Sequence, residues 1–276
     1  MSPAQLVLAG VAGFLAGMVN ALAGGGTLIS FPILIALGLP PVSANITNTV
    51  ALSPGYLGGA LAQRAQIRPQ RARVIRLSMV AALGGLVGSI LLVFTSDSAF
   101  ELLIPALLFL ATALLAVQDR LRSALGIVPP PVASGQLPPD VDLGAETAGP
   151  AGELERHDPP WLMVPIFVVS VYGGYFGAGL GIMMLAILGI VLHEALNRLN
   201  ALKQTLAFVI NSTAAVFFLT SGKVYWVVAL VMACTSLAGG AAGGRLAGTV
   251  KPQVLRAIVV VIGTSVAVVY AIKTWF

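Results

Sequence analysis

The stretch AGGGTLISFPILIALGLPPVSAN, residues 23–45, decides the fold of this chain. Three consecutive glycines open onto an uncharged apolar run, 27–39, which ends at Gly38-Leu39-Pro40-Pro41. A helix over that run, rising about 1.5 Å per residue, reaches only roughly half to two-thirds of the way across a 30 Å hydrocarbon core. The pattern returns at 177–192, GAGLGIMMLAILGIVL, where a second short apolar run, 181–192, follows a second glycine cluster.

The surroundings of both stretches identify the solvent. Residues 1–63 contain no Asp, Glu, Lys, Arg or His, and 159–192 are equally bare. The whole chain, 276 residues, is 58% hydrophobic and only 9% charged, with a mean hydropathy of +0.96. A soluble domain carries about a quarter of its residues charged. The further apolar segments, 6–23, 41–62, 77–95, 101–118, 161–177, 199–221, 225–247 and 257–274, are mostly of spanning length. The expected fold is therefore an all-α integral membrane protein, its partner the lipid bilayer. No basic start marks a signal peptide, so 6–23 is read as part of the mature protein.

Residues 119–160 hold eight of the 17 prolines and seven of the ten acidic residues. That composition buries too little apolar surface to fold and is read as a linker. It divides the chain into a first membrane repeat, 1–118, and a second, 161–276. A shift of 155 residues without gaps sets Gly24 on Gly179, Gly26 on Gly181, Asn45 on Asn200, Gly84 and Gly85 on Gly239 and Gly240, and Gly88 on Gly243. Each half is expected to be a glycine-broken helical hairpin followed by three spanning helices. Three is odd, so the second half is inverted relative to the first. Arg64, Arg68, Arg71, Arg73 and Arg76 share one loop, which the positive-inside rule makes cytoplasmic. The linker then lies inside and both termini outside, in a multi-pass protein of the inner membrane.

Paired, short, glycine-interrupted segments in an inverted repeat point to a transporter's substrate site. A helix that begins inside the bilayer presents backbone N–H groups and the positive end of its dipole, and an anion satisfies both. The candidate binding residues at the first break are Asn20, Gly24, Gly25, Gly26, Thr27, Asn45, Asn48 and Thr49, with Thr47 beside them. Those at the second are Tyr175, Gly179, Gly181, Asn200, Lys203 and Gln204, with Tyr172 beside them and Asn211 two turns further in. Lys203 is the one basic residue placed within a span, where ionisable groups usually face a functional cavity; snorkelling to the interface is the competing expectation. Gly84-Gly85 and Gly239-Gly240 are expected instead to serve close helix packing. His193 and Glu194 read as an interfacial helix end sooner than as a proton relay.

Other classes find little support. The net charge of +5 comes from arginines gathered in one interhelical loop, so nucleic acid is not expected as a partner. Cys234, the only cysteine, cannot form a disulfide within the chain. No nucleophile–base set, phosphate-binding loop or metal-ligand spacing is present, so neither an enzyme nor a cofactor is expected.

The motif residues also carry a family resemblance. Ala23-Gly24-Gly25-Gly26, Phe31-Pro32 and Gly38-Leu39-Pro40-Pro41-Val42-Ser43-Ala44-Asn45 resemble the sulfite exporter TauE/SafE family, and Gly174 to Gly181 on through Asn200 resembles its weaker second repeat. The chain departs from the pattern where Leu180 interrupts the second glycine run and where no proline matches Pro32. The resemblance implies a secondary transporter exporting a small sulfur-containing anion, such as sulfite, thiosulfate or an organosulfonate. The alternatives are a membrane-embedded anion-binding or sensor subunit and a transporter of another small ion, such as a metal cation.

Overall fold

Long uncharged runs that cannot pair their backbone with lipid must pair it internally, which makes them helical. In the computed structural model, which describes residues 2–22, 25–124, 158–192, 194–246 and 252–275, they are. The first half contains α1 (Pro3–Leu22), α2 (Thr27–Ala36), α3 (Pro41–Ala62), α4 (Arg71–Phe94) and α5 (Asp97–Ala124). The second contains α6 (Met163–Tyr175), α7 (Leu180–Val191), α8 (Leu196–Leu219), α9 (Trp226–Leu246) and α10 (Pro252–Trp275). Short helical turns over Arg64–Ile67 and Arg68–Gln70 join α3 to α4. Among the described residues six helices, α1, α4, α5, α8, α9 and α10, are long and apolar enough to cross a membrane, and Leu83, Val87, Leu91, Phe94, Val164 and Val269 are among the exposed side chains that would meet lipid.

Two details differ from the sequence expectation. Segment 161–177, taken as spanning length, is a 13-residue helix after a single 3-10 turn over Pro160–Leu162, because Pro159 and Pro160 fix the entry. Within 119–160, α5 continues to Ala124, and Asp158 is held by ion pairs. Residues 125–157 lie outside the described residues.

Helix starts recur at one spacing: Pro41 and Leu196, Arg71 and Trp226, Asp97 and Pro252 are each 155 positions apart (196 − 41, 226 − 71, 252 − 97). The packing has the same regularity. α1 lies along α9 and α4 along α6; α3 touches α9 and α4 touches α8; α3 crosses α8 and α5 runs beside α10. Exchanging the halves maps this list onto itself. The halves are therefore interlocked, each first helix packed on the other half's fourth.

Small residues allow that interlock, as expected for Gly84, Gly85 and Gly239, whereas Gly240, expected to join them, has Gly17 O only at ordinary contact distance, 3.9 Å. A methyl group on Gly88 would stand 2.0 Å from the Val171 carbonyl oxygen, and one on Gly239 the same distance from that of Phe14. Without water between helices to drive association, such backbone approach supplies the attraction. Polar ties finish the frame. Asp97 Oδ1 accepts from the Val42 N–H at the start of α3 (2.9 Å), and Lys223 Nζ donates to Val93 O at the end of α4 (3.0 Å), each charge suiting that end of the helix dipole.

Candidate functional site

The two chain breaks are built alike. Gly25 (φ +91°) precedes α2, and Gly179 (φ +76°) is the N-cap of α7. Both need the left-handed region that a β-carbon disfavours. Both breaks lean on the same helix, α5. A Cβ on Gly179 would lie 3.4 Å from Ala111 Cα, and one on Gly25 3.5 Å from Leu115 Cδ2, so the breaks meet α5 about one turn apart. The Phe31 ring, one turn into α2, meets Phe176 of the second break edge-on at 5.3 Å, and Phe100 of α5 closes the triad at 6.2 Å from each. The helix starts thus converge, sealed by three fully buried aromatic rings.

Around the first break the polar residues form a connected set. Asn20 Oδ1 accepts from the Gly26 N–H (2.8 Å), and the Asn20 side chain also interacts with Tyr56. The Gly26 donor, expected to await an anion, is therefore capped from within the chain, and Asn20 positions the break. Ser30 Oγ donates to Asn48 Oδ1 (2.5 Å) and lies 3.3 Å from Gly26 O, with Ser30, Asn48 and Thr27 all buried. Asn45 bridges the halves: its Nδ2 donates to Tyr175 O, the last carbonyl of α6, at 2.7 Å, while its buried Oδ1 has no partner. Tyr175 contributes that carbonyl; its hydroxyl lies 3.4 Å from Thr95 Oγ1 instead.

At the second break Tyr172 Oη donates to Ala178 O (2.6 Å). Lys203 lies across this break, its Cδ 3.7 Å from where a Cβ on Gly181 would stand. Its stem thus packs beside the first turn of α7. Gln204 is half-buried beside it. Asn200 stands apart from the break, its Nδ2 donating to Gln63 Oε1 (3.2 Å). Asn211 and Thr49 bond within their own helices, to Ala207 O (2.8 Å) and Asn45 O (3.0 Å). Ser53 Oγ reaches both Thr49 O (2.7 Å) and Asn211 O (3.3 Å) and ties α3 to α8. Thr47 Oγ1 accepts from the Tyr225 N–H (3.1 Å). Gly24 and His193 lie outside the described residues. Glu194 pairs with Arg73 and Arg198.

The structure adds residues that sequence reasoning passed over. Ser30 carried a usable signal, a lone hydroxyl four positions after Gly26 in an otherwise apolar helix. Tyr56, Phe31, Phe100 and Phe176 carried none, since aromatic residues in apolar runs are ordinary core.

Comparison with known proteins places the chain among membrane transporters by likeness of sequence. The model of the family described as Sulfite exporter TauE/SafE matches residues 9–270. A "Probable membrane transporter protein" of Haemophilus influenzae is 26% identical, covering 90% of this chain and 88% of its own. The "Probable membrane transporter protein ORF9" of Sinorhizobium sp is 24% identical over 94% and 89% of the two chains, and YfcA of Escherichia coli K12, of the same description, 23% over 95% and 88%. No solved structure matches the chain.

Proposed function

Because the chain belongs to the sulfite exporter TauE/SafE family, we propose that this membrane transporter exports a small sulfur-containing anion, sulfite, thiosulfate or an organosulfonate, by alternating access. One observation supports the reading above the rest: two glycine-broken helix starts from different halves converge on α5, and a lysine lies across one of them. The anion would sit between the starts of α2 and α7, with Lys203 supplying charge and Asn45 and Asn48 neutral polar groups. Entry requires Phe31, Phe100 and Phe176 to part, and interlocked halves that tilt about the α3–α8 crossing would part them on one side at a time. A potential negative inside favours anion exit by roughly 2.3 kcal/mol per charge per 100 mV, so no coupling ion is required.

Counterflow into proteoliposomes with labelled sulfite, thiosulfate, taurine and nickel tests this. Uptake of a sulfur anion driven by the same anion inside is expected. Binding without counterflow would favour the sensor alternative, and nickel uptake alone the cation carrier.

The orientation proposed is an inverted repeat in the inner membrane, with the Arg64–Arg76 loop cytoplasmic and both termini outside. In a Cys234→Ala background, an impermeant maleimide on intact cells should label Ser98→Cys and spare Ala65→Cys. The reverse pattern would overturn the orientation.

A further inference from the structure

On the basic-loop side, away from the glycine breaks, lies a cluster of buried charge. Arg73, in the first turn of α4, is 3% exposed. Its Nε donates to Asp158 Oδ2 and one terminal nitrogen to Asp158 Oδ1, both at 2.7 Å, a two-pronged grip on the carboxylate. Its other terminal nitrogen reaches Glu194 Oε1 and lies 3.5 Å from Gln70 Oε1. Arg76 donates to Asp158 Oδ2 (2.5 Å), Arg198 stands 3.9 Å from Glu194, and Gln70 Nε2 donates to Arg198 O (3.1 Å). Asp158 is 4% exposed and Glu194 7%.

Three features set this cluster apart. It joins the halves: Arg73 and Arg76 come from α4, Asp158 from the segment ahead of α6, Glu194 from between α7 and α8, and Arg198 from α8. It shares its carboxylates, Asp158 pairing with both Arg73 and Arg76 and Glu194 with both Arg73 and Arg198. And a cavity of about 60 Å³ opens beside Asp158, between Arg76, Leu77, Pro159 and Leu162. For a buried ion pair, attraction and desolvation nearly cancel, so separation costs little if both charges find water or a new partner together. The guanidinium fork that grips two carboxylate oxygens fits any small oxyanion with two oxygens on one face.

We propose that Arg73 is a second anion site, at the basic-loop mouth of the pathway, closed in this structure by Asp158 and opened when an oxyanion takes the carboxylate's place. Asp158 acts as an internal stand-in for the anion. Its displacement removes the Arg73–Asp158 tie and loosens that side, where the Arg73–Glu194 pair and the Gln70–Arg198 bond still hold. The site rests on the reading of the substrate as a small oxyanion, but the latch does not.

The test uses the full chain in lipid nanodiscs, with Cys234→Ala and one reporter, Leu77→Cys, buried one turn from Arg73. The probe is methanesulfonate, a sulfonate inert toward maleimides, against sodium chloride at equal ionic strength. In chloride, Asp158→Asn should speed maleimide labelling of the reporter about tenfold, the loss of one charge-assisted contact. With Asp158 present, methanesulfonate should produce a similar acceleration that saturates, and chloride should not. The response should vanish in Arg73→Gln/Asp158→Asn, which removes one charge of each sign. Should Asp158→Asn fail to fold, Arg73→Lys keeps the charge without the fork and should lose the methanesulfonate response. An unchanged labelling rate for folded Asp158→Asn in chloride overturns the latch, whatever the counterflow result. A latch that opens in chloride but ignores methanesulfonate, or a response that survives loss of Arg73, overturns the anion site.

Discussion

The two breaks share a backbone and differ in chemistry. Each follows a positive-φ glycine, starts a short helix and leans on α5. At the first, the surroundings are neutral and already bonded: Asn20 holds Gly26, and Ser30 holds Asn48. At the second, Lys203 lies over an apolar turn beside Gly181. A near-symmetric scaffold has thus been given an asymmetric lining, neutral amide on one side and cation on the other.

Removing the cation should have the largest effect on that contrast. Lys203→Met keeps the chain length and deletes the charge. A charge-assisted contact is worth about 1.5–3 kcal/mol, so the apparent dissociation constant for the transported anion should rise roughly ten- to a hundred-fold. Equilibrium binding to purified protein checks this, and a change within about twofold would make both breaks neutral in function and end the contrast. The glycines come next, because the 155-residue register treats Gly26 and Gly181 as equivalent and their surroundings do not. A methyl on Gly26 would stand 2.2 Å from the Ala16 carbonyl oxygen, whereas one on Gly181 would make only ordinary contact with the Lys203 stem. Gly26→Ala should therefore cost about 1–3 kcal/mol in denaturant stability, as overpacking does. Gly181→Ala should be neutral or gain up to about 1 kcal/mol. Equal losses at both would restore the symmetry denied here. Smallest is Asn48→Ala, which removes a neutral acceptor and leaves Ser30 close to Gly26 O. A loss of about 1 kcal/mol, or roughly fivefold in anion binding, is expected. A larger loss than that for Lys203→Met would move the weight of the site to the first break.

Much of this was legible in the chain. The missing charges fixed the solvent, and the glycine clusters fixed where helices begin inside the protein. The same 155-residue spacing that aligns Gly84 with Gly239 also separates the starts of α3 and α8. Gly84 and Gly239 met the packing expectation because a backbone carbonyl stands where their side chains would be. Such signals are local, written in residue type and in period along one segment.

The partners of the polar groups were not legible. Nothing in the sequence tells Asn45 from Asn200, yet one reaches across to Tyr175 O and the other to Gln63. Nor does it say that Arg73, one of five arginines in a loop, is the buried one, 85 positions from the aspartate it grips. By itself the sequence determined a two-part, helical, membrane-embedded chain with paired breaks, since hydrophobicity and backbone freedom belong to residues one at a time. Only the tertiary structure decided which donor meets which acceptor. A hydrogen bond is a relation between two groups a few ångströms apart, and in interlocked halves the nearest neighbour in space lies far away along the chain.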